Sequence, residues 1–206
     1  HELHYLHPSY FKSSDQIYRH LGIDRQTPYC IIRFVSWNAT HDHGHKGFTA
    51  EEREELIGYL SKKMAVFITS EIPLPEAYKS YQIKIPPEKI HDALAYASLV
   101  VSEGATIASE AGVLGTPSIY VNSIVCYYIE DQERYGLLFN HRDGKKVMGR
   151  VKSLVENNYK QAVQEKRQAF IRQKINPTSF LVWFVENFPE SFTKMKEDPD
   201  YQYHFR

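Results

Sequence analysis

Residues 99–121, LVVSEGATIASEAGVLGTPSIYV, constrain the fold of this chain more than any other stretch. An apolar strand runs into a small-residue turn at Gly104. A short helix carrying Glu110 follows, then Gly115, Pro117 and a second apolar strand. Two strands joined through one helix pair in parallel by a right-handed crossover, and strands this apolar need cover on both faces. The turn adds a chemical constraint. A helix N-terminus presents unpaired N–H groups and partial positive charge, and only small residues let an anion such as a diphosphate approach that backbone.

The same alternation extends along the chain. A brief helix over 14–21 precedes the apolar run YCIIRFVS at 29–36, a buried strand. Thr49 and Glu52 form a capping box, and Leu56, Tyr59 and Leu60 follow at helical spacing, so 50–62 is a helix. Strands are expected at 64–69, 81–85 and 137–140, besides those flanking Gly104. Pro86 or Pro87 opens a helix with Ile90, Leu94 and Ala97 on one face, and 128–135 is a helix closed by Gly136. Helices at 145–157, 159–174 and 177–187 complete the pattern. These elements imply a Rossmann-like three-layer α/β/α sandwich with a mainly parallel sheet. Ligands of such sheets gather beyond the carboxyl ends of the strands, which points to the loops 36–48, 102–106 and 122–128.

The expected organisation is a linker with a short helix at 1–27, the Rossmann-like domain at 28–175, and a C-terminal helix and tail at 176–206. The opening residues read as the middle of a connection, so the chain is expected to be part of a longer protein. Lys+Arg and Asp+Glu both number 25, which removes any broad attraction to nucleic acid. Cys30 and Cys126 stand far apart and read as reduced thiols. No signal peptide or membrane span is visible, so the expected location is cytoplasmic.

The motif SEGATIASEAGVLGTPSIYV resembles the C-terminal half of GT-B glycosyltransferases, in particular the transferase that adds N-acetylglucosamine to lipid I. The residues that carry the likeness are Gly104, Ala105, Glu110, Gly115 and Pro117, preceded by IHDALAYASLVVS. With RFVSWNATHDHGHKGF included, the whole chain is most similar to an uncharacterised bacterial and archaeal domain family related to that transferase and to UDP-N-acetylglucosamine 2-epimerases. The resemblance implies a nucleotide-sugar site. Backbone N–H groups of Gly104, Ala105 and Thr106 would meet the diphosphate, and Glu110 the ribose hydroxyls. Ser36, Asn38 and Lys46 of the loop after the first strand, and Asn122 and Gln132 beyond 118–121, would add contacts. The donor, expected to be a UDP-sugar, would be a substrate, with no cofactor required. Acceptor and general base would belong to an N-terminal GT-B domain outside this chain, and any peripheral membrane association would run through that half. A nonhydrolysing 2-epimerase-like isomerase and a noncatalytic binding module are the alternatives.

Three features fit less simply. Glu103 adjoins the proposed phosphate turn, where a carboxylate is unfavourable unless it points away or finds a cation. His41, Asp42, His43, His45 and Lys46 crowd one loop, and the alternating histidines admit a metal, a phosphate or sugar contact, or a solvated loop; the spacing favours no metal site. Tyr127, Tyr128, Glu130 and Asp131 could stack on or hydrogen-bond a sugar, or simply pack. The terminal helix PTSFLVWFVENF is apolar on more than one face and wants partners on two sides.

Overall fold

The computed structural model describes residues 3–37 and 45–206. Five parallel strands form the central sheet: β1 (Tyr29–Phe34), β2 (Ala65–Ser70), β3 (Leu99–Ser102), β4 (Ser118–Val121) and β5 (Leu138–His141), in the order β2-β1-β3-β4-β5. Outside β2 the expected strand at 81–85 is reduced to a single parallel bridge between Ile68 and Gln82, with Ile83 N–H donating to the Ile68 carbonyl at 2.9 Å. A 3-10 helix, Glu76–Tyr81, takes up the chain before it. Pro86 and Pro87, which lack N–H donors, prevent its continuation. With that remnant counted, the sheet has the strand order of a doubly wound Rossmann fold.

The helices in chain order are α1 (Ile17–Leu21), α2 (Ala50–Leu60), α3 (Ile90–Tyr96), α4 (Ala105–Leu114), α5 (Tyr127–Tyr135), α6 (Val147–Glu156), α7 (Lys160–Gln173), α8 (Pro177–Glu186) and α9 (Glu190–Glu197). Period-two alternation sends Cys30, Ile32 and Phe34 to one face of the sheet, together with Ile68, Val101 and Ile119. Leu56, Ile57 and Leu60 of α2 and Val147, Val151 and Leu154 of α6 cover them. On the opposite face Tyr29 donates its buried hydroxyl to the Ala93 carbonyl of α3 at 2.7 Å. Tyr120 and Leu138 meet Ala108 of α4 and Ile129 of α5 on that side. Each fully buried Leu or Ile in these layers contributes about 1.5–3 kcal/mol relative to exposure, so the two-sided cover is what holds the parallel sheet.

Local signals behave as the sequence predicts at the helix ends. Thr49 Oγ1 accepts from Glu52 N–H at 3.2 Å while Glu52 Oε2 accepts from Thr49 N–H at 2.9 Å, the reciprocal capping box. Gly115 ends α4 at φ +85°, a left-handed conformation that side chains resist, and its carbonyl accepts from Gln164 Nε2 at 2.9 Å. Lys160 Nζ donates to the Ala95 carbonyl at 2.8 Å and to that of Ala97, covering the end of α3. Cys30 and Cys126 are both free thiols, the first buried and the second half-buried.

The chain divides into two compact units. Ser13–Arg167 holds the sheet and its helices. The other unit joins the chain up to Lys12 with Gln168–Arg206. Its core is aromatic: Phe180, Trp183 and Phe184 of α8 pack with Tyr201 and Phe205 at ring-centroid distances of 4.8–6.3 Å. Leu181, Val182 and Val185, on the opposite side of α8, are exposed. Among the described residues no helix is long and apolar enough to cross a membrane.

Candidate functional site

Strand order reverses between β1 and β3, so a crevice opens where the loops beyond their carboxyl ends diverge. Glu103, the first residue after β3, is fully buried there. Its own N–H donates to the Arg33 carbonyl at 3.0 Å, and its carbonyl accepts from Asn122 Nδ2 at 3.0 Å. The carboxylate accepts from Val35 N–H at 3.1 Å, Phe48 N–H at 2.9 Å, and Arg53 Nη2 at 3.0 and 3.1 Å to its two oxygens. Glu103 therefore ties the ends of β1 and β3 to the start of α2. Gly47 makes room for it, since a Cβ there would stand 2.4 Å from Glu103 Oε1.

On one side of Glu103 lies a cavity of about 340 Å³ at the start of α4. Four of the expected ligand residues, Gly104, Ala105, Thr106 and Asn122, line it together with Cys126 and Tyr128. Two helix N-termini converge on this space. Gly104 is the N-cap of α4 and Cys126 that of α5, both extended and neither helix with a side-chain cap. In the first turn of α4 the amides of Ala105, Thr106 and Ile107 precede the first helical bond, which Ala108 N–H makes to the Gly104 carbonyl at 3.3 Å. The Gly104 amide itself is engaged, donating to Ser102 Oγ at 3.0 Å.

Gly104 has φ −93°, a conformation open to any residue. A Cβ at this position would touch nothing closer than Val35 Cγ1 at 3.5 Å. Neither backbone nor packing requires glycine here.

Two carboxylates adjoin the cavity, and each has its own arginine. Glu71 accepts from Arg33 Nη2 at 2.7 Å and from Ser36 N–H at 3.0 Å. Partial burial works to raise its pKa, but the hydrogen bonds from Ser36 and the Arg33 guanidinium prevail and hold it below the usual carboxylate range. Ser36 thus meets the site through its backbone. Arg33 and Arg53 were not singled out from the sequence. The available signal was a charged residue inside the apolar strand YCIIRF and another in the first turn of α2, each of which needs a partner when buried.

The remaining expected residues lie elsewhere. Glu110 is buried one turn beyond Thr106, where Oε1 is 3.1 Å from Nε2 of His91 in α3. Gln132 is fully buried and donates to Ser109 Oγ, joining α5 to α4. Lys46 lines a different cavity on the far side of Arg53. Asn38, His41, Asp42 and His43 lie outside the described residues. His45 Nδ1 is 2.8 Å from Ser123 Oγ, and no group of three or more potential metal ligands occurs among the described residues.

No family model and no curated protein matches the chain. Among solved structures it is similar to a Listeria monocytogenes protein named as a UDP-N-acetylglucosamine 2-epimerase, at 12% identity and a TM-score of 0.47 over 77% of this chain and 43% of that one. It is also similar to the wall teichoic acid polymerase TagF, at 13% identity and a TM-score of 0.44 over 76% of this chain and 38% of that one. The chain thus spans less than half the length of either protein. Likeness at this level concerns the path of the chain and carries no argument about the site. The sheet order and its two helical layers establish a Rossmann-like α/β/α fold in their own right.

Proposed function

We propose that this chain is the donor half of a GT-B glycosyltransferase of polysaccharide or glycan synthesis, binding a nucleoside diphosphate sugar, with UDP the expected nucleotide. The observation that supports this reading best is the 340 Å³ cavity where two uncapped helix N-termini converge beside a glycine that neither backbone nor packing requires. Such a place suits a diphosphate, whose oxygens would take up the free amides and the partial positive charge of both helices. Glu110, held by His91, would meet the ribose hydroxyls one turn along α4. As the glycosidic bond to the donor breaks, negative charge grows on the departing diphosphate, and fixed N–H groups aimed at it lower the barrier without reorganising. The acceptor site and general base would come from a second domain, so this chain alone should bind without turning over.

Titration calorimetry with UDP, GDP and their sugars tests the reading. Gly104→Val places a side chain in the cavity in a backbone conformation that accepts it, and Glu110→Ala removes the ribose contact. Each should weaken UDP binding by about tenfold or more, the equivalent of one charge-assisted hydrogen bond. Absence of affinity for any nucleotide, or affinity that ignores both substitutions in folded protein, sinks the assignment.

A further inference from the structure

A second cavity in the sheet-bearing unit, about 600 Å³, lies across the Glu103–Arg53 pair from the diphosphate crevice and has no part in the proposed function. Its size is within the range of about 300–1,000 Å³ that encloses small organic ligands. The walls are apolar: Phe34, Trp37, Phe48, Ile72, Leu74 and Tyr78. Among the described residues its lining contains no carboxylate, whereas Lys46 and Arg53 both border it, with His45 beside them. Glu103 engages Arg53 through Nη2, and the Arg53 side chain is 24% exposed. The guanidinium therefore keeps donor capacity that its ion pair leaves unused.

We propose that this cavity binds a single-chain anionic amphiphile, with an apolar chain against the aromatic and aliphatic walls and a phosphate or carboxylate head at Lys46 and Arg53. Charge and surface select this class together. A free phosphate or a sugar would leave the apolar walls unmatched. A neutral chain would bring no acceptor to the cations, which hold acidic oxygens through charge-assisted hydrogen bonds. Lys46, expected from the sequence to meet a nucleotide, takes the headgroup role here instead.

The test is calorimetry on the 206-residue chain with decyl phosphate below its micelle-forming concentration, beside decanol, inorganic phosphate and vesicles of phosphatidylglycerol. Decyl phosphate should bind about tenfold or more tightly than decanol, because only it supplies the charged acceptor. Inorganic phosphate should bind about a hundredfold more weakly or worse, because it buries no chain. Ala77→Trp, which fills the cavity from an exposed position on its wall, should weaken decyl phosphate by about tenfold or more. Lys46→Gln should weaken decyl phosphate about threefold to tenfold and leave decanol unchanged. Equal affinity for decanol and decyl phosphate overturns the headgroup assignment. Indifference to Ala77→Trp overturns the cavity as the site, and binding to vesicles without binding to the monomer shows surface adsorption instead. None of these outcomes depends on whether UDP binds.

Discussion

Glu103→Gln is the substitution whose effect the structure constrains most closely. The carboxylate is fully buried, accepts from the amides of Val35 and Phe48, and binds Arg53 through both oxygens. Glutamine keeps the shape, but it removes the charge and turns one acceptor into an NH₂ group that faces another donor. Removing one partner of a buried ion pair costs about 3–5 kcal/mol, since the other charge is left unpaired. The Arg53 side chain is 24% exposed and stacks on Phe34 at 4.4 Å, so water and the ring recover part of that loss. The expected destabilisation is therefore about 3 kcal/mol, the lower end of that range. Urea denaturation followed by circular dichroism measures it. The single variant Arg53→Met and the double variant Glu103→Gln with Arg53→Met close the cycle: glutamine still offers an acceptor to the Val35 and Phe48 amides, and the double should cost less than the sum of the singles, a coupling energy of about 2 kcal/mol. If Glu103→Gln stays within about 0.5 kcal/mol of wild type, or if the two single effects simply add, the pair is not the tie described here.

Gly47→Ala brings a Cβ to 2.4 Å from Glu103 Oε1 and 2.5 Å from Trp37 Cζ2, and should destabilise by about 1–3 kcal/mol in the same denaturation assay. Gly58→Ala, in α2 with nothing within 4 Å, should instead stabilise by about 0.5–1 kcal/mol, and two changes of the same sign would refute the packing argument. Burial brings the Lys160 pKa from its ordinary 10.5 down to about 8. Between those values the unfolded chain binds more protons, so stability rises with pH across the window, and wild type should gain up to about 3 kcal/mol over Lys160→Met between pH 8 and 10.5. Denaturant titrations at the two pH values measure that difference, and a flat one would show that burial does not govern this lysine.

The sheet was legible because each strand stands between a turn signal and a helix of matching period, and because buried parallel strands are written as continuous apolar runs. Thr49 and Glu52, and the glycines at 115 and 136, marked helix ends on local chemistry alone. The strand expected at 81–85 stops at one bridge, where Pro86 and Pro87 bring two residues without N–H donors directly after it. The tail was the least legible part. α9 and the 3-10 helix Pro199–Phe205 were read only as tail, and Tyr201 and Phe205 of the latter find their aromatic partners on α8. Glu110 shows the limit of helical spacing. Its distance from Gly104 along α4 follows from rise per residue, but its neighbour, His91, is contributed by another helix 19 residues away in sequence.

Glu103 fitted the sequence reading least well, and the reason lies in its partner 50 residues earlier. A carboxylate at the edge of an anion site opposes binding: at 4 Å and an effective dielectric near 20 two like unit charges repel by about 4 kcal/mol. A helix N-terminus returns only about 0.3–2 kcal/mol. The convergence of α4 and α5 could not outweigh even one uncompensated carboxylate, and two stand beside the crevice. Arg53 on Glu103 and Arg33 on Glu71 cancel both. That neutralisation is the precondition for any anion at Gly104, so the acidic residue in SEG is compatible with a diphosphate only because β1 and α2 each deliver an arginine to the switch point of the sheet. The charge balance of the crevice is thus a property of the tertiary fold, carried by two arginines whose roles no local motif announces.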